Sequence, residues 1–237
     1  MKEMFTIGPA NAKSGFPPRI FPSTPETLES SLTDYYEKMN DLASLILRVF
    51  ALNLNLGENF FDKFTDHHAS ALRTVHYPEV SASNGLLPGQ LRCSAHTDYG
   101  TITILRTDGP GLQVSKDLNP PQWHDVPFVP DSFIINLGDL MKRWTNDKWL
   151  STLHRVVVME GDFNAEADTQ LTQDDFEETT KLLCRRRQSI AFFHNVNRDA
   201  QISVLLTDKG ESPKYAPIIA GEFLLQKHLA SLGIKKP

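Results

Sequence analysis

Two periods of apolar residues divide the chain. Between Glu26 and Leu56, the residues Leu28, Leu32, Tyr35, Tyr36, Met39, Leu42, Ala43, Ile46, Leu47 and Phe50 recur at three- and four-residue steps. That spacing predicts one long amphipathic helix. The stretch "STPETLES" offers a Ser/Thr cap with Pro and Glu in the first turn, and Gly57 offers a stop. A short helix over "ENFFDKFT" (58–65) is expected next. Beyond residue 70 short apolar and β-branched runs alternate with turn residues: "ALRTVHYP", "TITILRT", "GLQVS", "SFIINLG", "HRVVVME", "RQSIAFFHN" and "QISVLL". Their number and spacing predict a sandwich or barrel rather than βαβ repeats. One helical turn is expected at "GDLMKRWTN", and "AGEFLLQKHLASLG" reads as a final amphipathic helix. Residues 1–25, rich in Pro, Gly and Ser, are expected to run extended over the surface. The acidic stretch 160–184 reads as a mobile, solvated insertion between strands.

Composition adds bounds. The chain has 237 residues, 40% hydrophobic and 22% charged, which is ample for a buried core. The net charge is −5, and the one short basic run is "CRRRQ", so no nucleic-acid footprint is expected. The two cysteines, Cys93 and Cys184, form no CxxC pair and are expected to be reduced. No 18-residue apolar run and no signal-like start occur, so no membrane span is expected and the cytoplasm is the expected compartment. The oligomeric state stays open.

Chemistry enters at "CSAHTDYGTITIL". Of eight histidines, only His96 has a carboxylate two residues later, Asp98. Two residues along an ideal strand point the same way, so the pair converges on one ion if the strand persists to Asp98. An isolated H-x-D triplet is a weak signal. "STLHRVVV" supplies a third donor, His154, at the start of a strong strand. Two imidazoles and one carboxylate form the facial triad of non-haem Fe(II) oxygenases, which leaves positions open for a chelating cosubstrate and O2. In "RRRQSIAFF", Arg187, Ser189, Ala191 and Phe193 share one face of a strand. An arginine and a serine at i and i+2 can grip one carboxylate.

The order "HTD" (96–98), "HRV" (154–156), "RQS" (187–189) resembles the 2-oxoglutarate/Fe(II)-dependent dioxygenases of the isopenicillin N synthase-like superfamily. "LRTVHYP", "GLQV" and "VPDSFIINLGDLMKRWTND" fall in the same order as in that family, so the resemblance covers most of residues 70–227. It implies a mainly β fold with flanking helices, a distorted double-stranded β-helix (jelly roll) with the long N-terminal helix packed on it. It implies Fe(II) held by His96, Asp98 and His154, and the distal carboxylate of 2-oxoglutarate held by Arg187 and Ser189 with Tyr77 assisting. O2 completes the cofactor set, and the implied activity is oxidation of a small organic molecule with release of succinate and CO2. "KEMFTIGP" resembles the end of the N-terminal region of such enzymes. Residues 1–69 are therefore expected to be a remnant of that region, and 70–237 the jelly-roll domain with its C-terminal helix.

Substrate residues are expected among Arg73 and Val75, in phase with Tyr77, and Phe193, in phase with Arg187. Tyr99 follows the ligand strand closely enough to be a fourth. An arginine and a ring can clamp a flat molecule, and the overall pattern is similar to members that include thymine hydroxylases, which suggests a small heterocycle. Two other readings remain: an inactive or regulatory N-terminally truncated fragment, and a cupin-type metal-binding protein. His76, His124 and His194 are expected to be surface or packing residues, and Trp144 and Trp149 to be packing residues.

Overall fold

The computed structural model of the chain describes residues 2–10, 17–81, 90–158, 163–165, 182–184 and 186–234. In chain order the elements are β1 (Glu3–Ile7), α1 (Leu28–Asn53), β2 (Ala71–Tyr77), β3 (Val80–Ser81), β4 (Leu91–His96), β5 (Ile102–Thr107), β6 (Leu112–Ser115), β7 (His124–Asp125) and β8 (Ile134–Leu137). They continue with α2 (Asp139–Trp144), β9 (Leu153–Val157), β10 (Phe163–Ala165), β11 (Leu182–Cys184), β12 (Arg187–His194), β13 (Gln201–Ile202), β14 (Ile218–Ile219) and α3 (Ala220–Ser231).

A five-stranded antiparallel sheet in the order β1-β2-β12-β5-β8 stands opposite a four-stranded sheet in the order β4-β9-β6-β7. This is the expected jelly-roll arrangement, with strands that are neighbours in space but distant in sequence. Because side chains alternate along a strand, the five-stranded sheet has two unlike faces. On one face Ile7, Leu72, Ile102, Ile104 and Phe192 are buried against Tyr36, Met39 and Ala43 of α1. Full burial of one such side chain contributes roughly 1.5–3 kcal/mol. The other face, with Arg73, Val75, Tyr77, Thr103, Arg187, Ser189 and Phe193, turns toward the four-stranded sheet and lines a cavity.

A second apolar cluster joins the C-terminal half of α1 to α2 and the start of α3. Its centre is Trp144, fully buried with its ring edge-on to Phe61 and Phe64 at 5.0 and 4.9 Å. Trp149 packs on Phe50 at 4.8 Å, so both tryptophans are packing residues as expected. Among the described residues no helix is long and apolar enough to cross a membrane.

Several local expectations change. Glu3–Ile7 is extended, as expected, but it is a paired strand: it runs antiparallel to β2 from Glu3 opposite His76 to Ile7 opposite Leu72, forming the sheet edge. The stretch "KEMFTI" shows no regular polar–apolar alternation and sits beside residues rich in Pro, Gly and Ser, so its strand character is hidden. Helix α1 stops at Asn53, and Gly57 does not end it. Asn55 takes a left-handed φ of 57°, while the Asn55 and Leu56 N–H groups donate to Leu52 O and Ala51 O. That is a Schellman-type stop built on asparagine. Its N-cap residue, Thr27, makes no side-chain cap bond. "ENFFDKFT" yields only the 3₁₀ turn Asp62–Phe64, and "QISVLL" only the two residues of β13. The ends of the acidic stretch are strands rather than coil: β10 pairs with β11, which pairs with β3. The rest of that stretch, and the Cys184 side chain, lie outside the described residues.

Candidate metal centre and its cavity

Pairing of β4 with β9 sets His96 directly opposite His154, with their rings 4.3 Å apart. The strand does not persist to Asp98, as the simple alternation required; it ends at His96, and Asp98 lies in the turn that follows. Its position is set by the start of α2. Asp139 N–H donates to Asp98 O at 2.8 Å, and Leu140 N–H donates to Tyr99 O at 3.1 Å. Close approach at Gly138 makes this possible, because a Cβ there would come within 2.2 Å of Gly100 O. Asp98 Oδ1 therefore lies 4.0 Å from His96 Nε2 and 3.8 Å from His154 Nε2. One ligand atom from each residue falls within 4.8 Å of the others.

The donor set fits a divalent metal. His96 Nδ1 donates to Ser94 O at 2.8 Å and His154 Nδ1 donates to Thr152 O at 3.0 Å. Both bonds direct the Nε2 lone pairs at the shared point, as ligating histidines require. Asp98, buried, accepts hydrogen bonds on Oδ2 from Thr103 Oγ1 at 2.6 Å and Asn136 Nδ2 at 2.7 Å, which leaves Oδ1 for an ion. Burial first, and the neighbouring His154 second, lower the His96 pKa and favour the neutral, ligating form. Two imidazoles, one carboxylate and no fourth His, Cys, Asp or Glu in the group, among the described residues, match an ion that keeps open positions.

A cavity of about 130 Å³ begins at these three residues and runs between the two sheets. Arg187 and Ser189, both buried, line it from β12, with Tyr77 opposite Arg187 and Val75 opposite Ser189 on β2. Arg187 Nε donates to Pro110 O at 2.8 Å, and its guanidinium lies 5.6 Å from the Tyr77 ring centre. Burial, then the Cys93 thiol, raise the Tyr77 pKa, so its hydroxyl stays protonated. Arg73, Val75 and Phe193 also line the cavity, with the Arg73 guanidinium 5.5 Å from the Phe193 ring centre.

Tyr99 does not belong with them. Its ring faces the C-terminal helix, where Lys227 Nζ lies 5.5 Å from its centre. In the turn after β4, Asp98 takes the inward place and its neighbour faces α3. Thr103, Asn136, Lys2 and Met4, which sequence reasoning did not single out, line the cavity. Thr103 and Asn136 face each other across β5 and β8, a register no local pattern reveals. The remaining histidines stay outside: His76 meets Glu3 at 2.9 Å, His124 is exposed, and His194 is buried with Thr101 Oγ1 at 2.8 Å. Desolvation, with His68 nearby, pushes the His194 pKa down to about 3.

Comparison with known proteins agrees with this geometry. A curated relative, the 2-oxoglutarate-Fe(II) type oxidoreductase hxnY of Emericella nidulans, is 33% identical over 225 residues, covering 91% of this chain and 55% of its own length. The 2-oxoglutarate-Fe(II) type oxidoreductase ppzD of Metarhizium rileyi is 32% identical over 239 residues, covering 98% of this chain and 62% of its own. The chain thus spans little more than half the length of these curated relatives. Among solved structures, a full-length Neurospora crassa protein in complex with alpha-KG and thymine superposes with a TM-score of 0.79 at 30% identity, covering 97% of this chain and 65% of that one. The family model for the 2OG-Fe(II) oxygenase superfamily matches residues 68–196, from the strand that carries Tyr77 through the one that carries Arg187 and Ser189. The chain belongs to the 2OG-Fe(II) oxygenase superfamily.

Proposed function

We propose that this chain is an Fe(II)- and 2-oxoglutarate-dependent dioxygenase that hydroxylates a small organic molecule, releasing succinate and CO2. The observation that carries the reading is the convergence of His96 Nε2, His154 Nε2 and Asp98 Oδ1 on one point of a cavity that also holds Arg187 and Ser189. Fe(II) with 2-oxoglutarate and O2 supplies the oxidising chemistry when bound there. The chain's own residues bind, orient and exclude water. Asp98 presents Oδ1 because Thr103 and Asn136 occupy Oδ2. Arg187 and Ser189 donate to the distal carboxylate of 2-oxoglutarate, and Tyr77 walls that end. Val75, Leu112 and Val156 cluster between the sheets and keep the cavity dry. Arg73, Val75 and Phe193 face the substrate.

On this reading residues 70–237 form the catalytic jelly roll, and residues 1–69 support it through α1 and the edge strand β1. Cys93, which is free, supports a reducing, cytoplasmic setting. The relative solved with thymine supports small planar heterocycles as the first compounds to try.

The test is spectroscopic. Anaerobic addition of Fe(II) and 2-oxoglutarate to the folded protein is expected to give a weak visible charge-transfer band, and His154→Ala to remove it. A folded wild-type protein without the band would overturn the reading in favour of an inactive fragment or a cupin-type site.

A further inference from the structure

The charge lining the cavity is one-sided. Among the described residues it holds three cationic side chains, Lys2, Arg73 and Arg187, and a single carboxylate, Asp98. On the proposed Fe(II)/2-oxoglutarate reading, on which this inference rests, four of the charges in the cavity cancel. A divalent ion, the Asp98 carboxylate, a 2-oxo dicarboxylate and the Arg187 guanidinium together carry no net charge. Arg73 and Lys2 are the surplus.

Arg73 is the better placed of the two to meet a substrate. It sits on β2 opposite Thr6 of β1 and Ala191 of β12, two positions along the cavity face from Val75 and four from Tyr77. Its Nε–H donates to Thr6 Oγ1 at 3.1 Å, and its guanidinium lies 5.5 Å from the Phe193 ring centre. Among the described residues no carboxylate lies within ion-pair distance of it; the neighbouring Glu3 meets His76 instead. The thiol contact at 3.7 Å leaves Lys2 Nζ likewise without an acidic partner among the described residues. Arg73 is half-buried on the cavity wall, and its guanidinium, held by a hydroxyl and a ring, has the forked donor geometry that suits a carboxylate. The ring beside it supplies the flat wall.

We propose that the substrate is a small planar organic acid whose carboxylate pairs with Arg73 while its ring packs on Phe193. A neutral planar molecule of the same shape covers the Arg73 guanidinium without compensating its charge and binds more weakly. Lys2, at the sheet edge and exposed, adds to the field that draws the acid in but holds no defined position against it.

The experiment uses the Fe(II)- and 2-oxoglutarate-loaded protein under anaerobic conditions and two matched probe pairs: benzoate against benzamide, and orotate against uracil. Calorimetry reads the affinity, and the visible band reports whether 2-oxoglutarate remains bound. The acids are expected to bind at least about tenfold more tightly than their neutral partners without loss of the band. That preference is expected to shrink with added salt and to vanish in Arg73→Gln. Arg73→Lys, which keeps the charge but not the fork, is expected to retain part of it, and it carries the test if the glutamine variant does not fold. Equal or tighter binding of the neutral members, binding by no probe at all, an acid preference that survives in Arg73→Gln, or an acid that bleaches the band by displacing 2-oxoglutarate would each overturn the proposal. A band missing before any probe is added defeats the Fe(II)/2-oxoglutarate reading instead, so the two failures are distinct.

Discussion

Phe192 and Phe193 are consecutive residues on β12, yet they belong to different chemistries. Phe192 is fully buried between the sheet and α1, in contact with Tyr36, whose ring meets it edge-on at 5.1 Å. Phe193 is half-buried in the cavity beneath the Arg73 guanidinium. The same alternation runs along the whole strand. Ile190, Phe192 and His194 serve the face against α1, while Arg187, Ser189 and Phe193 serve the cavity. One face of a single sheet thus carries stability and the other carries the site. A slip of one residue in register would exchange them, so the apolar face also fixes the register of the polar one.

The sharpest way to break this comparison is to truncate the two phenylalanines separately. Phe192→Ala is expected to cost about 3–5 kcal/mol in urea denaturation, through lost burial and the cavity left behind. Phe193→Ala is expected to cost under about 1.5 kcal/mol and to alter substrate binding instead. Equal destabilisation by both would dissolve the division between the faces.

Next in size is Arg187→Ala, on the cavity face. It is expected to raise the Kd for 2-oxoglutarate by roughly 30-fold or more, corresponding to about 2–5 kcal/mol, read from titration of the charge-transfer band. The band at saturating 2-oxoglutarate should survive, since the metal ligands are untouched.

The face against α1 also holds a fully buried titratable group, His194, with His68 beside it at a ring separation of 5.7 Å. Its folded pKa of about 3 lies well below the ordinary histidine value. Below pH 6.5 the unfolded chain therefore binds a proton that the folded chain refuses. Stability from this group is complete above pH 6.5 and falls with the pH down to about 3. Between pH 6.5 and 5 the loss is expected to be about 2 kcal/mol, and His194→Gln should flatten that acid limb in a series of denaturation curves. Burial also lowers the His68 pKa, so some slope is expected to remain in the variant.

The smallest effect on stability is expected at Asn136, which holds Asp98 from behind. Asn136→Ala should weaken Fe(II) binding by about 10- to 100-fold while leaving global stability nearly unchanged, measured by metal titration beside thermal melting. Loss of the fold instead would mean that the Asp98 network is structural first.

Much of this was legible in the chain. The three-and-four spacing from Leu28 marked α1, and the alternation in "RQSIAFFHN" assigned Arg187, Ser189 and Phe193 to one face before any neighbour was known. The residue types at 96, 98 and 154 named a metal chemistry. Other features were hidden for physical reasons. The strand Glu3–Ile7 borders residues that break regular structure, so its pairing with β2 could not be read locally. Asn55 ends α1 because its backbone enters the left-handed region, which asparagine tolerates but does not announce. Tyr99 was expected near the substrate only because it follows the ligand pair in sequence, and nearness in sequence does not say which way a side chain turns.

Side-chain alternation and helical period are properties of a few consecutive residues, and the sequence by itself determined them: two faces on β12, a stripe on α1, and an arginine, a serine and two imidazoles of suitable chemistry. Which strands lie side by side is decided by burial summed over distant segments. Only the tertiary structure could set His96 against His154, bring Asp98 to both through the first turn of α2, turn Tyr99 toward Lys227, and leave Arg73 facing a cavity with no carboxylate, among the described residues, to pair with.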